Sequence, residues 1–282
     1  MNRSSIARKL LLAALLLLVL AAFAMPLFSM LLTAMREAKS VGKPLLEPGH
    51  VPSAAQLGAN VKEVWTGRAA DFPLFLHNSL FVAGLSVLGM VVSSSIVAYG
   101  FSRLRWRGRD ALFILVLATL MIPFPILMAP LYLVFKQLGW IGTFLPLWVP
   151  AWFGGTFSIF LLRQFFLSIP RELDDAARID GCSEFGVFTR IILPIAAPAI
   201  AVVALLQFVA SWNDFLAPLL FLNHEETYTL ALGLHMYQSQ HGGTPWNLVM
   251  TAALLIILPV VFVFILAQRA IIGSVATQGL NE

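Results

Sequence analysis

Apolar residues fall into six long runs that are separated by polar segments. The runs cover residues 10–32, 80–101, 111–135, 141–162, 195–222 and 248–267. Each has 20 or more residues, which is long enough for an α-helix to cross a bilayer, and none alternates like a strand. A segment in hydrocarbon must satisfy its own backbone hydrogen bonds. The pattern therefore predicts an all-α membrane protein with six transmembrane helices.

The composition supports the same class. Of the 282 residues, 59% are hydrophobic and only 11% are charged, whereas about 25% are charged in a soluble domain. A soluble, disordered or disulfide-rich secreted protein is excluded, and the single cysteine, Cys182, cannot form an internal disulfide. The first run resembles a signal peptide in its flanking residues, but signal cores have only about 7–15 apolar residues. We expect an uncleaved helix.

The distribution of Lys and Arg predicts the orientation. With the N-terminus inside, twelve basic residues lie in inside segments and six in outside segments, five of them in one long loop. This bias predicts N-in and C-in, and it accounts for the net charge of +4 without a nucleic-acid partner. The expected order is a cytoplasmic N-terminus (1–9), a first helix (10–32), an extracytoplasmic loop (33–79), a five-helix core (80–269) and a cytoplasmic tail (270–282).

The inside loop between the fourth and fifth helices, residues 168–194, holds eight charged residues. Its pattern predicts a first short helix, capped by Ser168 and ended by Gly181, and a second one capped by Ser183. On the first helix, Leu173, Ala176 and Ala177 share one face. Two interpretations remain open at this level: a surface helix on lipid headgroups, or a docking element for a soluble partner.

The same loop resembles a known signature. Asp175-Ala176-Ala177, Gly181, Ile191 and Leu193-Pro194 have the spacing of the EAA loop of ABC importer permeases, although Asp175 stands where Glu is usual and Cys182 where a small residue is usual. Further matches cover residues 78–269 and resemble the carbohydrate, maltose-importer-type branch. They are His77-Asn78-Ser79, Ala98-Tyr99-Gly100-Phe101-Ser102-Arg103, Met121-Ile122-Pro123, Ala129-Pro130-Leu131, Phe165-Phe166-Leu167-Ser168-Ile169-Pro170, Trp212-Asn213-Asp214 and Ala267-Gln268-Arg269.

The resemblance implies a function and a set of partners. Such permeases lie in a bacterial-type cytoplasmic (inner) membrane and pair with a second, related permease. Two cytoplasmic ATPase subunits dock on the EAA loops, and an extracytoplasmic solute-binding protein delivers a sugar or sugar-like solute. The coupling residues carried over to this chain are Asp175, Ala176, Ala177, Asp180, Gly181, Leu193 and Pro194.

The chain itself is expected to be a transport subunit and not an enzyme. It has no Gly-x-x-x-x-Gly-Lys-Ser/Thr loop to cradle phosphates. ATP and Mg would therefore be bound by the partner ATPases, and no cofactor or metal is expected in this chain.

The fifth run contains the candidates for the translocation path. Asp214 is the only acid inside a predicted span. Pro218 lacks the N–H that would bond to the backbone carbonyl of Asp214, which favours an opened helix. Asn213, Asp214 and Pro218 could line the path, or Asp214 could make a helix–helix hydrogen bond. In the third run, Pro123 and its neighbouring prolines free carbonyls that must face protein or a water-filled cavity.

Competing functions are an ABC importer for another solute class and, with less support, a secondary transporter driven by an ion gradient. An intramembrane enzyme is disfavoured because no His, Glu or Cys lies inside a predicted span. The solute itself is not readable from the chain, because a second permease would contribute half of the cavity.

Overall fold

The computed structural model describes residues 3–43, 51–67, 70–237 and 243–278, and every regular element in these ranges is a helix. Residues 1–2 of the predicted cytoplasmic N-terminus and residues 279–282 of the predicted cytoplasmic tail lie outside the described residues. The α-helices are α1 (Arg3–Ala34), α2 (Ala54–Thr66), α3 (Phe72–Ser102), α4 (Arg109–Ala118), α5 (Phe124–Gln137), α6 (Leu145–Trp148), α7 (Thr156–Ser168), α8 (Glu172–Ile179), α9 (Glu184–Val187), α10 (Leu193–Ile195), α11 (Ala197–Trp212), α12 (Leu216–Phe221), α13 (Leu230–Met236) and α14 (Trp246–Gln278).

Four helical segments of the described chain are long and apolar enough to cross a membrane: Leu11–Ala34, Phe72–Ser102, Leu145–Ser168 and Trp246–Gln268. Two further segments qualify only as bent pairs. Arg109–Met121 and Phe124–Gln137 meet at 98°, and Glu184–Ile195 and Ala197–Trp212 meet at 77°. The predicted class, a helical membrane protein, is confirmed, with four to six candidate spans.

Prolines explain both bends. In the third predicted run, Ile122 adopts an extended conformation immediately before Pro123, as the residue before a proline does. In the fifth, Pro198 has no N–H to donate to the carbonyl of Pro194, and the helix breaks between α10 and α11. The sequence indicated irregular backbone at the first site, but an apolar run alone does not reveal an angle.

Part of the predicted extracytoplasmic loop, residues 33–79, is helical. It contains α2, whose first turn is capped because the Ser53 hydroxyl accepts the N–H of Gln56. It also contains the first residues of α3, which begins at Phe72. The span predicted from the sequence began only at residue 80, because His77, Asn78 and Ser79 interrupt the apolar run.

The chain forms two compact units. The first comprises Met1–Phe72 and Gly233–Leu258, and the second comprises Pro73–Leu232 and Pro259–Glu282. In the first unit, the Asn60 side chain donates to the carbonyls of Ala34 and Arg36 and accepts from Asn247. These bonds join α1, α2 and the beginning of α14.

The second unit contains the core that supports the 168–194 loop. Residues from α3, α7 and α11 pack with residues of the loop itself, including Tyr99, Leu162, Phe166, Ala177, Val187, Phe188, Ile192 and Val203. The backbone approaches α3 closely at Gly155, where an added Cβ would lie 2.8 Å from the sulfur of Met90. The absence of a side chain at Gly155 therefore permits close packing against α3.

Candidate coupling site

The 168–194 loop folds as α8, a turn at Gly181, α9 and one π-helical turn, Phe188–Ile192. Gly181 has a φ of +83°, and the Ser183 hydroxyl accepts the N–H of Gly186, so both predicted signals are confirmed. The predicted cap at Ser168 is wrong. Ser168 is the last residue of α7, and its hydroxyl donates to the carbonyl of Phe165.

Helix α8 has an inner and an outer face. Asp174 and Ala177 are buried, whereas Leu173, Ala176 and Ile179 are exposed. The predicted face of Leu173, Ala176 and Ala177 is therefore divided between the two. Asp174 faces inward, which the pattern of apolar residues did not predict, and the outer face is exposed.

Arg103, the first residue after α3, is the ion-pair partner of Asp174. The two side chains are only 1% and 3% exposed, and Nη1 of Arg103 lies 3.2 Å from Oδ2 of Asp174. Nη2 of Arg103 also donates to the carbonyls of Phe166 and Ile169, at 2.6 and 2.8 Å. One guanidinium thus joins the end of α3, the end of α7 and the beginning of α8.

Burial affects both members of this pair. It raises the pKa of the Asp174 carboxyl above its ordinary value, with Arg103 opposing the shift. It lowers the pKa of the Arg103 guanidinium, with Asp174 opposing. Within the described residues, Oδ1 of Asp174 and Nε of Arg103 have no hydrogen-bond partner. Each charge therefore depends on the other, and removing one would leave the other buried and uncompensated.

A second set of contacts joins α3 to α8 and α9. The Tyr99 hydroxyl donates to Oε2 of Glu184 at 2.8 Å. Arg178 donates to Oε1 of Glu184 at 2.8 Å and to Oδ1 of Asp175 at 2.9 Å, and the bond to Glu184 raises the pKa of Arg178. The Tyr99 ring also packs on Phe188, with 5.0 Å between ring centroids. A polar cavity of about 450 Å³ lies among these groups.

The predicted coupling residues do not form one cluster. Asp175, Ala176 and Asp180 are exposed on or beside the outer face of α8, and Gly181 makes its terminal turn. Ala177 is buried in the supporting core. The remaining two lie at α10: Leu193 is half-buried against the same core, and Pro194 is exposed.

Sequence reasoning missed Arg103, Tyr99 and Asp174 as members of this site. A signal was present, because residues 98–103 belong to the stretches that resemble importer permeases, and Arg103 directly follows an apolar run. Their partners could not be identified, because Arg103 and Asp174 are 71 positions apart in the chain.

The translocation-path candidates lie at a real helix break. Helix α11 ends at Trp212 and α12 begins at Leu216, so the opening predicted from Pro218 is present but lies before that proline. Oδ1 of Asp214 accepts the N–H of Ala217 at 3.2 Å, and Nδ2 of Asn213 donates to the carbonyl of Val209 at 2.9 Å. Asn213 is exposed, whereas Pro218 is buried in α12.

The beginning of α3 holds another loop of the second unit. Nδ2 of Asn78 donates to the carbonyls of Glu226 and Tyr228, both at 2.9 Å, and the Ser79 hydroxyl accepts the N–H of Leu230 at 2.8 Å. These side chains fix the segment that follows α12. Over the described residues, no group of three or more His, Cys, Asp or Glu is placed to hold a metal ion.

Comparisons with known proteins agree with this architecture. The family model described as "Binding-protein-dependent transport system inner membrane component" matches residues 86–276. The chain is 37% identical over 204 residues to the arabinooligosaccharides transport system permease protein AraQ of Halalkalibacterium halodurans, covering 72% of each chain. It is 36% identical over 224 residues to the trehalose/maltose transport system permease protein MalG of Thermococcus litoralis, covering 79% of this chain and 80% of that one.

A third relative is the sn-glycerol-3-phosphate transport system permease protein UgpE of Agrobacterium fabrum, 36% identical over 235 residues and covering 83% of each chain. Among solved structures, a chain of a bacterial ABC transporter that imports the acidic polysaccharide alginate superposes with a TM-score of 0.79 at 22% identity, covering 95% of this chain and 98% of that one. That likeness shows a shared fold.

The resemblance to ABC importer permeases is thus confirmed by sequence and by fold. The prediction of a transport subunit, and not an enzyme, is confirmed with it. The chain belongs to the family of inner membrane components of binding-protein-dependent transport systems.

Proposed function

We propose that this chain is one of two related permease subunits of an ATP-driven importer for a sugar or sugar-like solute. It crosses the cytoplasmic (inner) membrane six times with both ends inside, so that each bent pair is one span. The assembly is completed by two ATPase subunits, which bind ATP and Mg, and by an extracytoplasmic solute-binding protein.

The observation that carries this proposal is the position of the 168–194 loop. Its outer α8 face is exposed and unoccupied within the described chain, with Asp175, Ala176 and Ile179 at the surface. Its inner face is fixed to α3 and α7 by Arg103 and Tyr99. A partner that pushes on the outer face would therefore move two membrane helices with it. This is the arrangement that an ATPase docking element requires.

The orientation follows from the docking site. If ATPases bind the 168–194 loop, this loop is cytoplasmic, and the twelve basic residues assigned to inside segments lie on the same side. Segment 1–9 and the tail 270–282 are then cytoplasmic, helix 10–32 is the first span, segment 33–79 is extracytoplasmic, and residues 80–269 form the permease core.

A second permease is supported by what the chain leaves exposed. The break between α4 and α5 is exposed, and Met121 and Ile122 are 84% and 48% accessible. Irregular backbone at membrane depth is tolerated only against protein or a water-filled cavity. A neighbouring permease subunit would cover one side of this break and share the translocation cavity.

The opening between α11 and α12 is our candidate for the lining of that cavity. Asn213 is exposed, and the Asp214 carboxylate accepts backbone N–H groups at the beginning of α12, so two polar side chains lie where the helix is interrupted. A sugar site needs a few placed polar groups among apolar walls. The substrates named for AraQ, MalG and UgpE make an oligosaccharide, a disaccharide or a sugar-like phosphate ester the solutes to test first.

The proposal is tested by purifying the tagged chain from its native membrane in mild detergent and identifying co-purified subunits by mass spectrometry. The docking variant is Ala176→Arg, on the exposed face of α8. The matched control is Val51→Arg, also at an exposed apolar residue but on the side proposed to be extracytoplasmic. We expect both variants to fold, because surface substitutions cost only about 0.5 kcal/mol.

An ATPase and a second permease should accompany the wild type and Val51→Arg, whereas Ala176→Arg should lose the ATPase and solute uptake. Full ATPase recovery and uptake with Ala176→Arg would show that the outer face of α8 is not the docking site. A wild-type chain that co-purifies without any ATPase would contradict the coupling proposal. In the same uptake assay, Asp214→Ala should lower transport while keeping the ATPase bound. Unchanged uptake at normal expression would remove Asp214 from the path.

A further inference from the structure

A second polar cavity lies beside the 168–194 loop, at the turn that joins α3 to α4. Its volume is about 420 Å³, and its lining includes Arg105, Trp106, Arg109, Asp110, Ala111 and Arg171. The turn connects two segments that are apolar enough to enter a membrane. We therefore expect this turn, and the cavity beside it, to lie near the level of the lipid headgroups.

The charges around this cavity are not balanced. Its one carboxylate, Asp110, is already paired, with 3.0 Å to Nε of Arg109 and 3.8 Å to Nη2 of Arg163. In the described part of the chain, Arg105 forms no ion pair, and Arg171 makes one long hydrogen bond, 3.5 Å to the carbonyl of Ser102. Both side chains also line the first cavity, beside Asp174, Asp175 and Glu184, but within the described chain neither forms an ion pair with these acids.

Apolar surface adjoins these two arginines. Trp106 is 42% exposed, and its indole nitrogen donates to the carbonyl of Gly100, which holds the ring at the surface. On α4, Leu112 and Leu115 are 46% and 62% exposed within two turns of the cavity. Tryptophan is typical of the membrane interface, and exposed leucines of the hydrocarbon region. A ligand that fits the whole surface has an anionic head and apolar chains.

We propose that this cavity binds the headgroup phosphate of an anionic phospholipid, with Arg105 and Arg171 as donors and the acyl chains along α4. A guanidinium presents a planar fork that matches phosphate oxygens. Basic pockets between membrane helices attract anionic lipids because each Lys or Arg near the surface adds to the attraction. A zwitterionic lipid gains less, because its positive group opposes the two arginines. The assignment does not depend on which solute the permease carries.

The test is native mass spectrometry of the full chain with the subunits that co-purify from its membrane, titrated with phosphatidylglycerol and with phosphatidylcholine. Wild type should retain phosphatidylglycerol in preference to phosphatidylcholine. The double variant Arg105→Gln/Arg171→Gln should weaken phosphatidylglycerol retention by about tenfold. A charge-matched control, Arg107→Gln/Arg190→Gln, changes two exposed arginines outside the cavity and should alter retention less than about twofold.

The double variant Arg105→Lys/Arg171→Lys keeps the charge and should retain most of the binding. The single variant Arg105→Gln changes only one exposed side chain, so we expect it to fold even if the double variant does not. Equal losses in the cavity and control variants would mean general surface attraction and overturn the proposal. Two other results would also overturn it: inorganic phosphate adducts that disappear in the cavity variant while lipid retention persists, and loss of the ATPase with unchanged lipid retention.

Discussion

The two ends of α3 hold their neighbouring loops with different chemistry. Near its beginning, Asn78 and Ser79 use neutral groups to fix the backbone that follows α12. At its other end, Tyr99 and Arg103 contact carboxylates of the 168–194 loop, Glu184 and Asp174. One helix therefore carries a neutral attachment at one end and a charged attachment at the other.

The difference concerns what happens when a contact is broken. A neutral hydrogen bond adds only about 1 kcal/mol net, and leaving one of its buried partners unsatisfied costs about 1–3 kcal/mol. A buried ion pair adds little stability beyond well-packed apolar residues, but losing one partner costs about 3–5 kcal/mol. The charged end therefore permits few alternative arrangements. This would suit the coupling role proposed for the 168–194 loop, whereas the neutral end only positions the segment that follows α12.

The largest effect is expected for Arg103→Met, which leaves Asp174 buried and removes the donor to the carbonyls of Phe166 and Ile169. Thermal denaturation in detergent should show that the free energy of unfolding falls by about 3–5 kcal/mol. The exposed Arg107→Met is the matched control and should change little. Arg103→Met/Asp174→Leu should recover part of the loss. Equal stability of Arg103→Met and the control would contradict a charged clamp at this end.

A smaller effect is expected for Asn78→Leu. The carbonyls of Glu226 and Tyr228 lose their donor, which should cost about 1–3 kcal/mol locally. Hydrogen exchange should be faster at the amides of residues 226–230 and unchanged in α8. The control is Asn213→Leu, an exposed residue whose amide bonds only within its own helix among the described residues. Exchange that rises in α8 as well would show that the two ends are not independent.

The smallest effect is expected for Tyr99→Phe. The hydroxyl bond to Glu184 is lost, but the ring still packs on Phe188 and Arg178 still holds the carboxylate. A loss of about 1 kcal/mol is expected in the same denaturation assay. Tyr132→Phe, at a hydroxyl without a hydrogen bond in the described residues, serves as the reference. A loss as large as that of Arg103→Met would place the main attachment at Tyr99 instead.

Local signals in the 168–194 loop were readable because they act over a few residues. Gly181 takes the left-handed conformation and Ser183 caps α9, as their residue types indicate. Ser168 has the same chemistry as Ser183 but lies at the end of α7, where its hydroxyl bonds backward to Phe165. Which end of a helix a serine occupies depends on where the previous helix stops, and a short polar pattern does not fix that boundary.

The sequence by itself determined the helical membrane class, the turn of the 168–194 loop and, by resemblance, the family, because apolar run length and local backbone preferences act within a few residues. Only the tertiary structure decided the 98° and 77° bends, the inward position of Asp174 and its pairing with Arg103. The sequence pattern does not show whether an acidic residue on a helix faces solvent or a buried guanidinium. The choice is made by a partner distant in the chain, which becomes a neighbour only when the helices pack.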